Sequence, residues 1–178
     1  KKDPRSGRNE ATRYLCEHDV FFLLAYVLGR PDVDRDWIFE RCVEVQALPD
    51  NHLDLWARAH YKSTIITFAL TIQDLLKNPN LTVGIFSHTR PIAKSFLRQI
   101  KREFEANKLL KSLYPDRLYE NPQQEAPKWS EDDGIIIKRT SNPKESSVEA
   151  WGLVDGQPTS RHFDVMIYDD VVTRESVT

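Results

Sequence analysis

Between residues 62 and 87 the chain passes from a helical pattern to a buried-strand pattern, and that succession limits the folds open to it. The apolar positions Ile65, Ile66, Phe68, Ala69, Ile72, Leu75 and Leu76 cover a wide arc of one helix, over residues 62–77. An arc that wide predicts burial against a sheet. Asn78-Pro79-Asn80 ends the helix, and Leu81-Thr-Val-Gly-Ile-Phe-Ser87 then reads as a buried strand. Upstream, Pro49-Asp50-Asn51 predicts a turn and residues 53–57 a further strand. Strand, helix and strand in that order form the crossover unit of a parallel sheet. The expected class is therefore α/β, with a mainly parallel central sheet flanked by helices.

The helix opens at Lys62-Ser63-Thr64, directly after the polar turn Arg58-Ala59-His60-Tyr61. A strand feeding a helix N-terminus aims unpaired N–H groups and the positive end of the helix dipole at one point, where a phosphate is welcome. Lys62 then reads as a point charge for the outer phosphates, Ser63 as a ligand of magnesium and Thr64 as a further donor. Against the pattern G-x-x-x-x-G-K-[ST], Trp56 and Tyr61 stand at the two glycine positions. The same stretch also fits an ordinary strand–turn–helix with a surface lysine. A second acidic element shifts the balance: Asp164-Val-Met-Ile-Tyr-Asp169-Asp170 is an apolar strand closed by two carboxylates. In a nucleotide hydrolase Asp169 would hold hydrated magnesium, and Asp170 would orient and deprotonate the attacking water.

Composition supports one globular domain: 178 residues, 40% apolar and 29% charged, with a net charge of −2. No apolar run has the length of a membrane span and no signal-peptide pattern opens the chain, so an intracellular protein is expected. Cys16 and Cys42 lack metal-ligand spacing and read as buried, reduced thiols.

Residues 1–9 mix charge, Pro and Gly and read as a flexible leader; residues 10–48 form a helical lead-in and 49–178 the core. Helices are expected over 10–28, stopped by Gly29, and over about 34–47. They either cover the adenine end of a nucleotide or serve packing alone. A long helix from the region of Arg90 to about Leu113 carries a basic stripe, Arg90, Lys94, Arg98, Lys101 and Arg102, which reads either as a DNA-tracking face or as a solvated one. Residues 114–133 read as a surface excursion without periodicity. Two strands, within 134–139 and 147–151, are expected to pair antiparallel before the acidic strand.

Three motifs in order, Arg58-x-His-Tyr-Lys62-Ser-Thr, Ser87-His-Thr-Arg-x-x-Ala93 and Ser160-Arg-His-Phe-Asp-x-x-x-Tyr-Asp169-Asp170, make the chain similar to the ATPase domain of a tailed-phage large terminase, over roughly residues 35–172. The resemblance implies a P-loop NTPase of the additional-strand type that uses ATP and Mg2+ to drive double-stranded DNA into a procapsid in the host cytoplasm. It implies a homo-oligomeric ring, a portal and a small terminase subunit as partners, and no membrane. That family commonly replaces P-loop glycines while keeping an arginine in the loop. By resemblance, residues Arg58 to Thr64 are the nucleotide grip, with Arg58 also stabilising charge on the leaving phosphoryl group. Ser63 and Asp169 hold the metal, Asp170 stands where many relatives have glutamate, and Arg161 is a candidate arginine finger for the next subunit, with Arg139 the poorer candidate. The sequence stops at Thr178, before the coupling motif and nuclease domain of that family, so nuclease activity is not expected. A helicase-like DNA translocase, or a degenerate P-loop module that binds DNA or partners without hydrolysis, are the competing readings.

Overall fold

A computed structural model describes residues 4–47 and 53–172 of the chain. Its helices are α1 (Pro4–His18), α2 (Val20–Phe22), α3 (Asp36–Ala47), α4 (Thr71–Lys77), α5 (Arg90–Ala106), α6 (Lys108–Leu113) and α7 (Pro122–Glu125). Two π-helical turns, Leu23–Val27 and Thr64–Leu70, continue α2 and lead into α4. The strands are β1 (Val83–Ser87), β2 (Trp129–Ser130), β3 (Gly134–Ile135), β4 (Val148–Gly152) and β5 (Val165–Tyr168), in the spatial order β2-β3-β4-β1-β5.

The molecule is α/β, but the sheet is mixed rather than mainly parallel. β1 runs parallel to both β4 and β5, whereas β2–β3 and β3–β4 are antiparallel. In the antiparallel half, β2 and β3 are joined by a three-residue turn, 131–133, too short for a crossover, and residues 136–147 return from β3 to β4 without a helix. β1 is buried along its whole length between β4 and β5. Polar clamps fix β5 beside it at both ends. Asp164 Oδ2 accepts hydrogen bonds from the N–H and hydroxyl of Thr82, and Ser87 Oγ donates to the carbonyl of Asp169. Between the clamps Phe163 lies over Gly84, where a Cβ would come within 2.6 Å of the ring.

The strand expected over residues 53–57 does not form: the segment is irregular, with Leu53 81% and Leu55 83% exposed. No strand of the described residues lies beside it, and an extended segment gains its ladder only from a neighbour. The turn expected at Pro49-Asp50-Asn51 falls outside the described residues.

Helix α1 begins at Pro4, inside the stretch expected to be a flexible leader. Proline is well tolerated at a first helical position, where its missing N–H would be unsatisfied anyway. The single helix expected over 10–28 is interrupted at Asp19, whose carboxylate accepts the N–H of Phe22 at 2.8 Å and restarts the chain as α2. Asn107 likewise breaks the long basic helix into α5 and α6: it accepts from Leu110 N at 2.9 Å and donates to the Val27 carbonyl at 2.7 Å. The excursion over 114–133 carries α7 and β2.

The core runs from α1 through α4 to β1 and α5, with Leu23, Leu24, Ile38, Ile65, Phe68, Ile72, Leu76, Ile85, Leu97 and Phe104 essentially inaccessible. α5 packs on β1 and β4, and the segment 64–77 packs chiefly among α1, α2 and α5. Cys16 and Cys42 are buried in this core as free thiols. Among the described residues no helix is long and apolar enough to cross a membrane.

Candidate functional site

The polar turn before residue 62 takes a backbone shape that glycine usually supplies. Ala59 and Tyr61 have φ of 61° and 60°, in the left-handed region. Tyr61 occupies the second glycine position of the P-loop pattern and takes a glycine-like conformation while carrying a ring. That ring sits 6.2 Å from Trp37, and its hydroxyl bonds to Asp32, a contact that raises the tyrosine's pKa. His60 Nδ1 lies 2.8 Å from the Arg58 carbonyl, closing the turn. From there the helix begins: Ile65 N donates to the Tyr61 carbonyl at 2.9 Å.

This turn delivers Lys62 to Asp169. Lys62 Nζ stands 3.0 Å from Asp169 Oδ1, a contact between residues 107 positions apart in sequence. Asp169 sits just beyond the carboxyl end of β5, with its N–H bonded to the Phe86 carbonyl at 2.9 Å, and its side chain is 2% exposed. Thr67, one helical turn after Ser63, donates its hydroxyl to Asp169 Oδ2 at 2.6 Å. Burial pushes the Asp169 carboxyl up, but hydrogen bonds from Ser63, Thr67 and Lys62 and the lysine's charge outweigh it. The carboxyl is held below its ordinary value and stays ionised.

Asp169 Oδ1, buried, faces the Lys62 ammonium at 3.0 Å. A buried, ionised carboxylate beside the Ser63 hydroxyl suits a small hard cation. Among the described residues no group of three or more His, Cys, Asp or Glu could form an all-protein metal centre. Magnesium, which binds through one or two carboxylates plus phosphate and water, fits this donor set.

The remaining expected residues fall into two groups. Asp170 follows Asp169 with φ 52°, and this reversal turns its side chain to the exposed surface while its carbonyl accepts the His88 N–H at 3.2 Å. Arg58, Ala59 and His60 are exposed on the turn, and Thr64 is half-buried on the helix. Arg161 is not brought to the Lys62–Asp169 pair. It precedes β5, at the end of the strand away from Asp169, and binds the buried Glu149 at 3.6 Å and the Lys144 carbonyl at 3.0 Å. Arg139 bonds the carbonyls of Pro143 and Glu145 and closes a local loop.

Four of the five cations in the basic stripe of α5 make contacts within the chain, and Arg102 is exposed. Arg98 makes a two-point pair with Glu131, Lys94 pairs with Asp132, and Lys101 binds Glu105 at 2.9 Å. Arg90 bonds the Asp132 carbonyl and lies 5.0 Å from the Trp151 ring centre. The acidic turn between β2 and β3 thus pairs with part of this stripe, while Arg98 and Asp132 keep half or more of their side-chain surface exposed.

Sequence reasoning missed Thr67 and Ser87. Thr67 stands in the apolar arc of its helix, four residues after Ser63, and that spacing was the available signal. Ser87 closes β1 as Asp169 closes β5, so their meeting follows only once the two strands are known to be parallel neighbours.

No protein-family model, curated protein or solved structure matches the chain.

Proposed function

We propose that the chain binds a magnesium–nucleoside triphosphate, ATP by preference, at Lys62, Ser63 and Asp169, and hydrolyses its outer phosphate bond. The observation that carries this reading is Lys62 Nζ at 3.0 Å from the buried, ionised Asp169, at the head of a helix whose Ser63 and Thr67 hydroxyls serve the same carboxylate. A phosphate-binding lysine and a metal-binding acid must share one small space, and the proximity of Lys62 and Asp169 supports that reading. Tyr61 takes the left-handed backbone of the loop and carries its ring toward Asp32 and Trp37, which supports an open rather than a blocked loop.

On this reading Lys62 exchanges Asp169 for the outer phosphate oxygens when nucleotide arrives. Ser63 and Asp169 would hold a magnesium ion, whose charge would neutralise that of the phosphates. Thr67 keeps Asp169 Oδ2 occupied and so leaves Oδ1 to face the ligand. Asp170, exposed and next to Asp169 in sequence, would accept the proton as the water oxygen bonds the terminal phosphorus and the bond to the bridging oxygen breaks, releasing the diphosphate, and Arg58 would close onto the phosphates from the turn. The finer part of the proposal is a DNA-packaging motor of the large-terminase kind, a P-loop NTPase acting in a ring with a portal and a small subunit, and it rests on the three ordered motifs. The α5 cations, four of them in contact within the chain, are not proposed as its DNA track.

The test is a thermal melt with and without Mg-ATP. A ligand bound only by the folded state at a hundred times its Kd adds about 2.7 kcal/mol, so the wild type should melt several degrees higher. Lys62→Ala should lose that shift. An equal shift in both proteins would refute the site, and no shift in the wild type at millimolar ATP would favour a degenerate, non-hydrolysing module.

A further inference from the structure

Beside the turn that carries Lys62, the structure holds an open cavity of about 230 Å³ lined by Trp37, Arg41, Leu55, Trp56, Ala57 and His60. Two elements build it: α3 supplies Trp37 and Arg41, and the segment that runs into the turn supplies the rest. The Trp37 and His60 ring centres are 5.6 Å apart, at 60°. Trp37 is 36% exposed and Leu55 83%, so apolar and aromatic surface is left facing solvent here. The volume is below the roughly 300 Å³ at which pockets begin to take drug-sized ligands, and it matches a single planar ring system better than a whole nucleotide.

We propose that this cavity takes the base of the nucleoside triphosphate, stacked against the indole of Trp37 with the Arg41 guanidinium at its edge. The inference rests on the nucleotide reading above and extends it to a part of the ligand that Lys62, Ser63 and Asp169 do not touch. Three observations carry it. The cavity shares a residue with the phosphate turn, since His60 lines it and lies two residues before Lys62. Its walls are aromatic, and every base offers a π-face to such a wall. Its cationic wall residue, Arg41, pairs with Glu44 through one guanidinium nitrogen and keeps further N–H donors; a base supplies ring-nitrogen and carbonyl acceptors at its edge.

The experiment separates base from phosphate. Calorimetric titration of the chain with ATP and with inorganic tripolyphosphate, each with excess Mg2+, reads the base's contribution as the ratio of the two affinities. Stacking on an aromatic side chain is worth enough to make ATP about tenfold tighter or more. Trp37→Leu, checked for an unchanged melting profile, should bring ATP down to the tripolyphosphate value and leave tripolyphosphate binding unchanged. In the wild type, ATP should quench tryptophan fluorescence where tripolyphosphate does not, which tests the stacking without any substitution. Equal affinities in the wild type, an ATP advantage that survives Trp37→Leu, or identical fluorescence with both ligands would overturn the base pocket while leaving the phosphate site standing. Failure of both ligands to bind the wild type would overturn the phosphate site and the base pocket with it.

Discussion

At the scale of single residues, the site depends on a carboxylate that burial opposes and its neighbours rescue. Removing one of those neighbours has a calculable effect. Thr67→Val keeps the shape of the side chain but deletes the 2.6 Å bond to Asp169 Oδ2, leaving a buried carboxylate oxygen without its donor. The expected loss is about 1.5–3 kcal/mol, the range for hydrogen bonds to charged groups, read by denaturant unfolding; Thr67→Ser should recover most of it. The buried thiols give a second check. Burial raises Cys16 to about 11 and Cys42 to about 12, so neither is a thiolate near neutral pH. Both should resist an aromatic disulfide reagent in the folded chain and react on unfolding. The meeting of Lys62 and Ser63 with Asp169 was legible in the sequence because each stands at the end of a short local pattern, a helix opening or a strand closing. Thr67 was hidden because a buried hydroxyl within an apolar arc looks like packing until its partner is known.

Elements were legible where one periodicity carried through and obscure where a polar residue cut it. The apolar spacing of residues 10–28 and 90–113 continues across Asp19 and Asn107, yet both side chains cap a new helix, and a local hydrogen bond outweighs the propensity to continue. Asn107→Ala removes the cap on Leu110 N and the donor to the Val27 carbonyl, so a loss of about 1 kcal/mol or more is expected in equilibrium unfolding. The segment 53–57 was misread for the opposite reason: its alternation is that of a strand, but pairing is a tertiary property that alternation alone does not supply. β2 and β3, two residues each, are too short for any period to announce them. Gly84 looked like an ordinary strand residue, and only the structure shows Phe163 lying across it. Gly84→Ala should therefore cost about 1–3 kcal/mol through overpacking, visible as a lowered Tm with the site residues untouched.

For the molecule as a whole, the slight net acidity hides extensive internal pairing, and the pairing sets the response to pH. Asp169, Glu105 and Asp116 are pushed up by burial but held lower still by their donors. Glu131 is held down by Arg98, Asp132 by Lys94, and Glu145 by the His162 N–H. A carboxyl whose folded pKa is depressed contributes stability that is fully present above its unfolded value, near 4, and is lost as pH falls through the folded value. The melting temperature should be nearly flat above about pH 5 and drop steeply below about pH 4. Lys62→Met should make that drop shallower, because one of the donors holding Asp169 down is gone. A final consequence lies in where that acid is mounted. Among the described residues β5 is an outer strand, paired with β1 alone, with Met166 56% and Tyr168 54% exposed. Its outward amides should exchange with deuterated water far sooner than those of β1. Anything that grips Lys62 and Asp169 together would act as a rivet on the loosest plank of the sheet, slowing that exchange at a distance from the point of attachment.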